Sequence, residues 1–259
     1  MNLLQAAILG IIEGVTEFLP VSSTGHLILA ARALGLSQTE FLKTFEIIIQ
    51  CGAILSVIVL YWRSLLVNLE VLKRVLVAFF PTAVLGFTFY RIIRHFLMAS
   101  SQVVLWSMFI GGICIIVFES FHRERDDDLE DLSAIPYRTS FLIGLFQSVA
   151  MIPGVSRSAA TIVGGLILGL KRKTIVEFSF LLAVPTMLAA TGLDLVKNVD
   201  QFSVMQVYIL SIGFLISFFS ALVGVKFLLS YIKKHSFVSF GIYRITLALL
   251  FWFFLCIGL

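Results

Sequence analysis

Charged residues are scarce in this chain. Only 13% of its 259 residues are Asp, Glu, Lys or Arg, whereas 59% are hydrophobic, and the mean hydropathy is +1.05. Soluble domains carry about 25% charged residues, so an ordinary soluble domain is excluded. The net charge of +4 does not indicate a nucleic-acid partner, because the basic residues stand at the ends of hydrophobic runs, where they anchor helices. An integral membrane protein is predicted.

Cysteine is nearly absent as well. Cys51, Cys114 and Cys256 lie far apart in apolar runs, so neither a disulfide framework nor a cysteine-ligated metal is expected. No basic residue precedes Arg32. A secretory signal starts with such residues, so no cleaved signal peptide is expected.

Long hydrophobic runs recur along the chain, and several reach the roughly 20 residues that span a bilayer as a helix. The period-2 alternation of an outer-membrane barrel is missing. The predicted fold is all-α, a polytopic membrane protein with six transmembrane helices and two re-entrant helix-loop-helix segments in two inverted repeats. The predicted re-entrant segments are 3–34 and 137–170, and the predicted helices are 44–62, 75–90, 102–121, 175–196, 203–224 and 241–259.

The segment from His122 to Arg138 divides the chain and holds six of its fifteen acidic residues. Metal binding is one interpretation of this cluster, but a solvated cytoplasmic linker is favoured. A shift of 134 places Gly10 on Gly144, Glu13 on Gln147 and Ser22 on Ser156. A chance match between apolar strings is the alternative to duplication. The predicted domains are a first repeat (1–121), the linker (122–138) and a second repeat (139–259).

Basic residues test this layout, because cytoplasmic loops are enriched in Lys and Arg. With re-entrant segments, one face collects twelve of them and the other collects five. The five are Arg32, Lys43, Arg91, Arg94 and Lys197. The richer face is predicted to be cytoplasmic, which puts both termini outside and lets the first re-entrant segment enter from the outer face.

Polar residues interrupt the first apolar segment, which reads "EGVTEFLPVSSTGH". Glu13 and Glu17 are four residues apart, so their carboxylates lie on one helix face. Ionisable groups at membrane depth are costly and are functional candidates, although a pore-lining pair without chemistry is the alternative. A divalent cation bridging both carboxylates is one way to stabilise the pair.

Pro20 then breaks the helix, and the hydroxyl residues Ser22, Ser23 and Thr24 follow at a new helix start. Free backbone N–H groups at such a start bind anions. His26 follows within about a turn. A packing role is the alternative for this histidine, but beside carboxylates and hydroxyls a catalytic role is favoured.

The matching place in the second half reads "PGVSRSAAT". It offers the hydroxyl residues Ser156, Ser158 and Thr161, together with Arg157. A guanidinium at a broken apolar helix needs an anion, and its planar fork suits phosphate oxygens. A salt bridge to Glu13 or Glu17 is the alternative. Together the two stretches predict a buried site for a phosphate or diphosphate on a lipid tail.

At these residues the chain closely resembles the undecaprenyl-diphosphate phosphatases, the bacitracin-resistance protein family. The resemblance covers essentially the whole chain. It implies hydrolysis of undecaprenyl diphosphate to undecaprenyl phosphate and inorganic phosphate, which recycles the lipid carrier for cell-wall synthesis and gives bacitracin resistance. It also implies a divalent cation, Mg²⁺ or Ca²⁺, and a bacterial inner-membrane enzyme whose active site faces the periplasmic or outer side.

Residue roles follow as a hypothesis from this resemblance. Glu13 and Glu17 hold the cation, and Arg157 with the flanking hydroxyls stabilises the transferring phosphoryl group. Ser23 is the preferred nucleophile, with His26 or Glu17 taking its proton; attack by His26 or by water is left open.

The expected partners are a polyprenyl diphosphate lipid, membrane lipids and, in a homodimer, a second copy of the chain. Acid-phosphatase-like lipid phosphatases are excluded, because they need a histidine where this chain has Val163. A transporter or flippase of a polyprenyl phosphate lipid is the non-enzymatic rival, since transporters share inverted halves with broken helices.

Overall fold

The computed structural model describes residues 1–37, 39–92, 101–125, 128–197 and 203–256. Within these ranges the chain forms ten α-helices and no β-strand, apart from an isolated bridge between Leu129 and Leu170. The predicted all-α class is confirmed. Arg94, which belongs to the charge count, and Asp126 and Asp127 of the linker lie outside the described ranges.

The helices follow one another with short connections. They are α1 (Leu3–Thr16), α2 (Ser23–Ala33), α3 (Glu40–Trp62), α4 (Leu69–Ile92), α5 (Ser101–Phe121), α6 (Tyr137–Ser148), α7 (Arg157–Ile167), α8 (Arg172–Lys197), α9 (Val204–Tyr231) and α10 (Val238–Cys256). A π-helical turn (Arg63–Val67) follows α3, and 3₁₀ turns lie at Leu132–Ala134 and Val149–Met151. Helix α9 continues past the predicted end near 224, because Lys226 is exposed on its surface and therefore need not stand at the end of the helix.

Five of the described helices, α3, α4, α5, α8 and α9, are long and apolar enough to cross a membrane. The chain is therefore a membrane protein. The apolar stretch of α10 is shorter, so the count of six spans stays a prediction. Helices α1 and α2 have 14 and 11 residues, or about 21 Å and about 17 Å at 1.5 Å per residue. Neither reaches across a hydrocarbon core of about 30 Å, and re-entrance likewise stays a prediction.

Helix bounds repeat with the shift seen in the sequence. Adding 134 to the bounds of α2 gives those of α7, and adding it to the start of α1 gives the start of α6. The helices also pair in an equivalent way, since α1 packs along α9 and α6 packs along α4. The first short helix of each half thus packs against a long helix of the other half. The duplication itself stays a prediction.

Small residues allow these helices to approach closely. A Cβ added at Gly10 would lie 2.8 Å from the carbonyl oxygen of Gly213 on α9. One added at Gly14 would collide with the carbonyl of Ser217, and one at Gly144 with that of Ala78 on α4. Small residues at membrane helix interfaces let backbones pack directly. This packing brings the ends of α1 and α6 into the centre of the bundle.

Candidate active site

Two chain breaks meet at the centre of the bundle. The first break joins α1 to α2, and the second joins α6 to α7. Ser22, just before α2, has φ 72°, a left-handed conformation that non-glycine residues rarely adopt. In the second break the left-handed residue is Gly154, at φ 90°. Both breaks line a cavity of about 190 Å³, where the N-termini of α2 and α7 converge.

Glu17 connects the two breaks. Its Oε2 accepts a hydrogen bond from the Ser23 hydroxyl at 2.6 Å, and its Oε1 accepts one from Arg157 Nη2 at 3.0 Å. The side chains of Glu17 and Arg157 are 4% and 11% exposed, so this is a buried ion pair. A serine hydroxyl, a carboxylate and a guanidinium therefore form one chain of hydrogen bonds along the cavity.

Arg157 is only partly satisfied by these contacts. Its Nη1 donates to the carbonyl oxygen of Ser179 at 2.8 Å. The Cζ atom of the guanidinium lies 5.7 Å from the Phe18 ring centroid. Its Nε is buried and has no hydrogen-bond partner. The salt-bridge alternative raised by the sequence is present, with Glu17 as the partner, and the N–H of Nε is left without an acceptor.

Glu13 lies fully buried one helical turn before Glu17, and both of its carboxylate oxygens lack a hydrogen-bond partner. A buried carboxylate without a partner is costly and needs a proton or a cation. Among the described residues, no three His, Cys, Asp or Glu side chains could hold a metal ion together. The donors fit a cation such as Mg²⁺, which takes one or two carboxylates and completes its shell with water and phosphate oxygens.

The predicted hydroxyl residues separate into two groups. Ser22, Ser23, Thr24 and Ser156 line the cavity. Ser158 and Thr161 are fully buried behind it. The Ser158 hydroxyl donates to the carbonyl of Leu19 at 2.8 Å, and Thr161 Oγ1 lies 2.6 Å from Ser179 Oγ. Ser158 thus ties the second break to the first, and Thr161 ties α7 to α8; their contact with phosphate stays a prediction.

His26 faces away from the Glu17 chain. Its Nδ1 lies 2.8 Å from the carbonyl of Ser22, which can only accept, so Nδ1 donates. Its Nε2 lies 2.7 Å from the hydroxyl of Tyr243 on α10. Both ring nitrogens are therefore engaged, and His26 is not among the residues that line the cavity. Its catalytic role stays a prediction.

A second polar wall of the cavity was not predicted from the sequence. It consists of Gln50, Thr82, Gln147 and Thr186. Thr82 and Thr186 donate their protons to the carbonyls of Gly144 and Leu182, so each accepts from Gln147 Nε2, at 2.9 and 3.1 Å. The amide oxygen of Gln147 is left buried without a partner. Only its alignment with Glu13 in the repeat could have singled out this glutamine.

Comparisons with known proteins agree along nearly the whole chain. The family model described as bacitracin resistance protein BacA matches residues 6–250. The undecaprenyl-diphosphatase of Sulfurihydrogenibium sp. (strain YO3AOP1) is 50% identical over 252 residues, which cover 97% of this chain and 99% of that protein. Those of Aquifex aeolicus and Campylobacter jejuni are 50% and 45% identical; the aligned parts cover 95% and 98% of this chain and 96% and 94% of the relatives.

Proposed function

The chain belongs to the bacitracin resistance protein BacA family, and we propose that it is an undecaprenyl-diphosphatase of the bacterial inner membrane. It hydrolyses undecaprenyl diphosphate to undecaprenyl phosphate and inorganic phosphate, which recycles the lipid carrier for cell-wall synthesis. The 50% identity to two proteins of that name, over 97% and 95% of this chain, supports undecaprenyl diphosphate as the substrate. The observation that carries the reaction is the buried chain Ser23–Glu17–Arg157 along one cavity.

This chain of hydrogen bonds supports Ser23 as the nucleophile. Ser23 Oγ forms a bond to the terminal phosphorus, and its proton passes to Glu17 Oε2. The bond between that phosphorus and the bridging oxygen breaks, and undecaprenyl phosphate leaves with the electron pair. Water then attacks the phosphoserine, the P–Oγ bond breaks, and inorganic phosphate leaves as Ser23 regains its proton. Arg157 turns its free N–H toward the negative charge of the transferring group, which is the main task in such reactions.

Trapping the phosphoenzyme tests this assignment. The enzyme is mixed with substrate labelled in its terminal phosphate and quenched rapidly in denaturant at neutral pH, which preserves both phosphoserine and phosphohistidine. Label is expected on Ser23, detected by mass spectrometry of peptides. Ser23→Ala is expected to lose the label, whereas Ser22→Ala keeps it. Label on His26, or turnover by Ser23→Ala at more than about a tenth of the normal rate, would contradict the serine mechanism; direct attack by water leaves no label at all.

A divalent cation, Mg²⁺ or Ca²⁺, is part of the proposal. The unpartnered oxygens of Glu13 and the nearby carboxylate of Glu17 are the residues that would hold it. When bound, the cation neutralises phosphate charge and withdraws electrons from phosphorus. The protein contributes the two carboxylates and a buried setting that excludes bulk water.

Metal removal is expected to abolish phosphate release. The purified protein, stripped with EDTA, should lose at least about 100-fold in activity and recover it with Mg²⁺ or Ca²⁺. Glu13→Gln should weaken Mn²⁺ binding, measured by electron paramagnetic resonance, by at least about 10-fold. Glu177→Gln, in α8, is the matched control. Full activity after EDTA treatment would contradict the cation, and no phosphate release under any condition would favour the lipid transporter.

The apolar side of the cavity supports a lipid substrate. Ala150 and Met151 of the second break line the cavity, while the flanking residues Val149 and Ile152 are 51% and 37% exposed on the outer surface of the bundle. A polyprenyl tail leaves the site along these residues into the membrane. The polyprenyl diphosphate lipid, membrane lipids and, in a homodimer, a second copy are the proposed partners. The charge asymmetry of the loops supports a periplasm-facing site with both termini outside.

A further inference from the structure

Arg244 of α10 is the largest fully buried side chain in the described part of the protein, with 1% of its surface exposed. No Asp or Glu of the described residues forms an ion pair with it; its guanidinium donates only to carbonyl oxygens. Nε donates to Met108 at 3.3 Å and Nη2 to Ser107 at 3.1 Å, both on α5. A charge in so apolar a place is costly unless several acceptors share it.

The other two acceptors belong to the two chain breaks. Nη1 donates to the carbonyl of Pro20 at 3.4 Å, and Nη2 donates to the carbonyl of Gly154 at 3.1 Å. Pro20 stands three residues before the start of α2, and Gly154 three residues before the start of α7. The two positions are also related by the shift of 134. One guanidinium therefore donates to corresponding carbonyl oxygens of the two breaks.

Neighbouring glycines show that the residues around the Arg244 guanidinium are closely packed. A Cβ added at Gly111 of α5 would collide with Arg244 Nη2. A Cβ added at Gly154 would collide with the carbonyl of Val104, also on α5, so the second break lies directly against that helix. Helices α5 and α10 thus pack beneath the two breaks, and Arg244 hydrogen-bonds both breaks to α10.

We infer that Arg244 is a positioning residue for phosphoryl transfer: it sets the first break, which carries Glu17 and Ser23, against the second break, which carries Arg157. Arg244 does not line the cavity, so it acts through the backbone that it holds. The fork is needed because a planar guanidinium donates from three separate nitrogens in fixed directions, whereas an ammonium group donates from a single nitrogen. This inference rests on the proposed function for its readout.

Kinetics of Arg244→Lys and Arg244→Met test the inference. Misplacement of reacting groups by about 1 Å costs about 100-fold in rate. Both variants are expected to lose about 100-fold in kcat while KM changes by less than about 3-fold, since the groups that touch substrate are all present. Lys keeps the charge but should not restore the rate. Ile242→Ala, at a half-exposed position on the same helix, is the control and should keep full activity.

Gly111→Ala displaces the guanidinium while leaving Arg244 in the chain, so it answers the question even where an Arg244 variant does not fold. It should lose kcat in the same way. Gly192→Ala, where an added Cβ meets nothing within 4 Å, should not.

A double-mutant cycle separates positioning from simple support of the fold. In Arg157→Ala the guanidinium is already absent, so moving the second break relative to the first no longer misplaces it. Adding Arg244→Met to this variant should therefore lower kcat by less than about 5-fold. The inference would be overturned if the kcat losses of Arg157→Ala and Arg244→Met multiply in the double variant. It would also be overturned if Arg244→Met and Gly111→Ala each keep kcat within about 3-fold of the wild type. An inactive wild type would instead overturn the proposed function. A change in the distance between spin labels on the two breaks in Gly111→Ala, but not in Gly192→Ala, would then still support the inference.

Discussion

Glu17→Gln is expected to lower kcat for phosphate release by at least about 1,000-fold. A positioned general base contributes about 10²–10⁴-fold, and this carboxylate also binds Arg157. The amide neither takes the Ser23 proton nor balances the guanidinium charge. Because an unpaired buried charge costs about 3–5 kcal/mol, the variant should also unfold more easily. Phosphate release is measured with polyprenyl diphosphate in detergent, and stability is measured by thermal unfolding.

Glu119→Gln is the matched control for Glu17→Gln. Glu119 is 2% exposed and pairs with Arg172, 16% exposed, on the linker side of the bundle and outside the cavity. It also accepts from the backbone N–H of Phe237. The control should lose stability to a similar degree and keep kcat within about 3-fold, as expected of a pair remote from the site. Equal loss of kcat in both variants would mean that Glu17 acts only through stability.

Arg157→Lys is expected to lower kcat by about 100- to 1,000-fold, the range found when one charge-stabilising donor is removed. The guanidinium donates to Glu17 and Ser179 with its two Nη atoms, and its Nε has no acceptor among the described residues, so we propose that it turns to phosphate. The three N–H donors of an ammonium group all leave one nitrogen, so they do not reach acceptors that face separate nitrogens of the guanidinium. Lys is therefore not a conservative replacement here, although the net charge is unchanged.

Arg172→Lys provides the comparison for Arg157→Lys. Arg172 makes a two-pronged contact with Glu119 far from the cavity, so its replacement should cost stability without lowering kcat. Steady-state kinetics and thermal unfolding of both variants distinguish the two cases. An Arg157→Lys enzyme with a normal kcat would show that charge alone suffices at this position.

Local chemistry made the two half-sites predictable. Proline and glycine break the helices where the sequence indicates, and α2 and α7 begin at residues related by the predicted shift. The pairing of Arg157 with a glutamate also follows from the need of a buried cation for an anion. Ser23 and Glu17, six residues apart, meet because one helix ends and another begins between them.

Contacts between distant elements could not be predicted in this way. Tyr243 and Arg244 lie in an apolar run of α10, and nothing in that run indicates that they contact His26, Pro20 and Gly154. The Gln147 network likewise depends on α4 and α8 lying beside α6. Ser158 and Thr161 share a motif with Arg157, yet the rotation of α7 turns them away from the cavity.

The packing of α1 against α9 has a consequence for biosynthesis. Roughly 200 residues separate the end of α1 from that of α9, which takes about 10–40 s at about 5–20 residues per second. During that interval the Gly10 and Gly14 face of α1 has no partner, and the helix carries the carboxylate of Glu13. Helix α1 and the first break are therefore buried only after α9 has been made. A ribosome that stalls before α9 leaves an exposed acidic helix for membrane quality control.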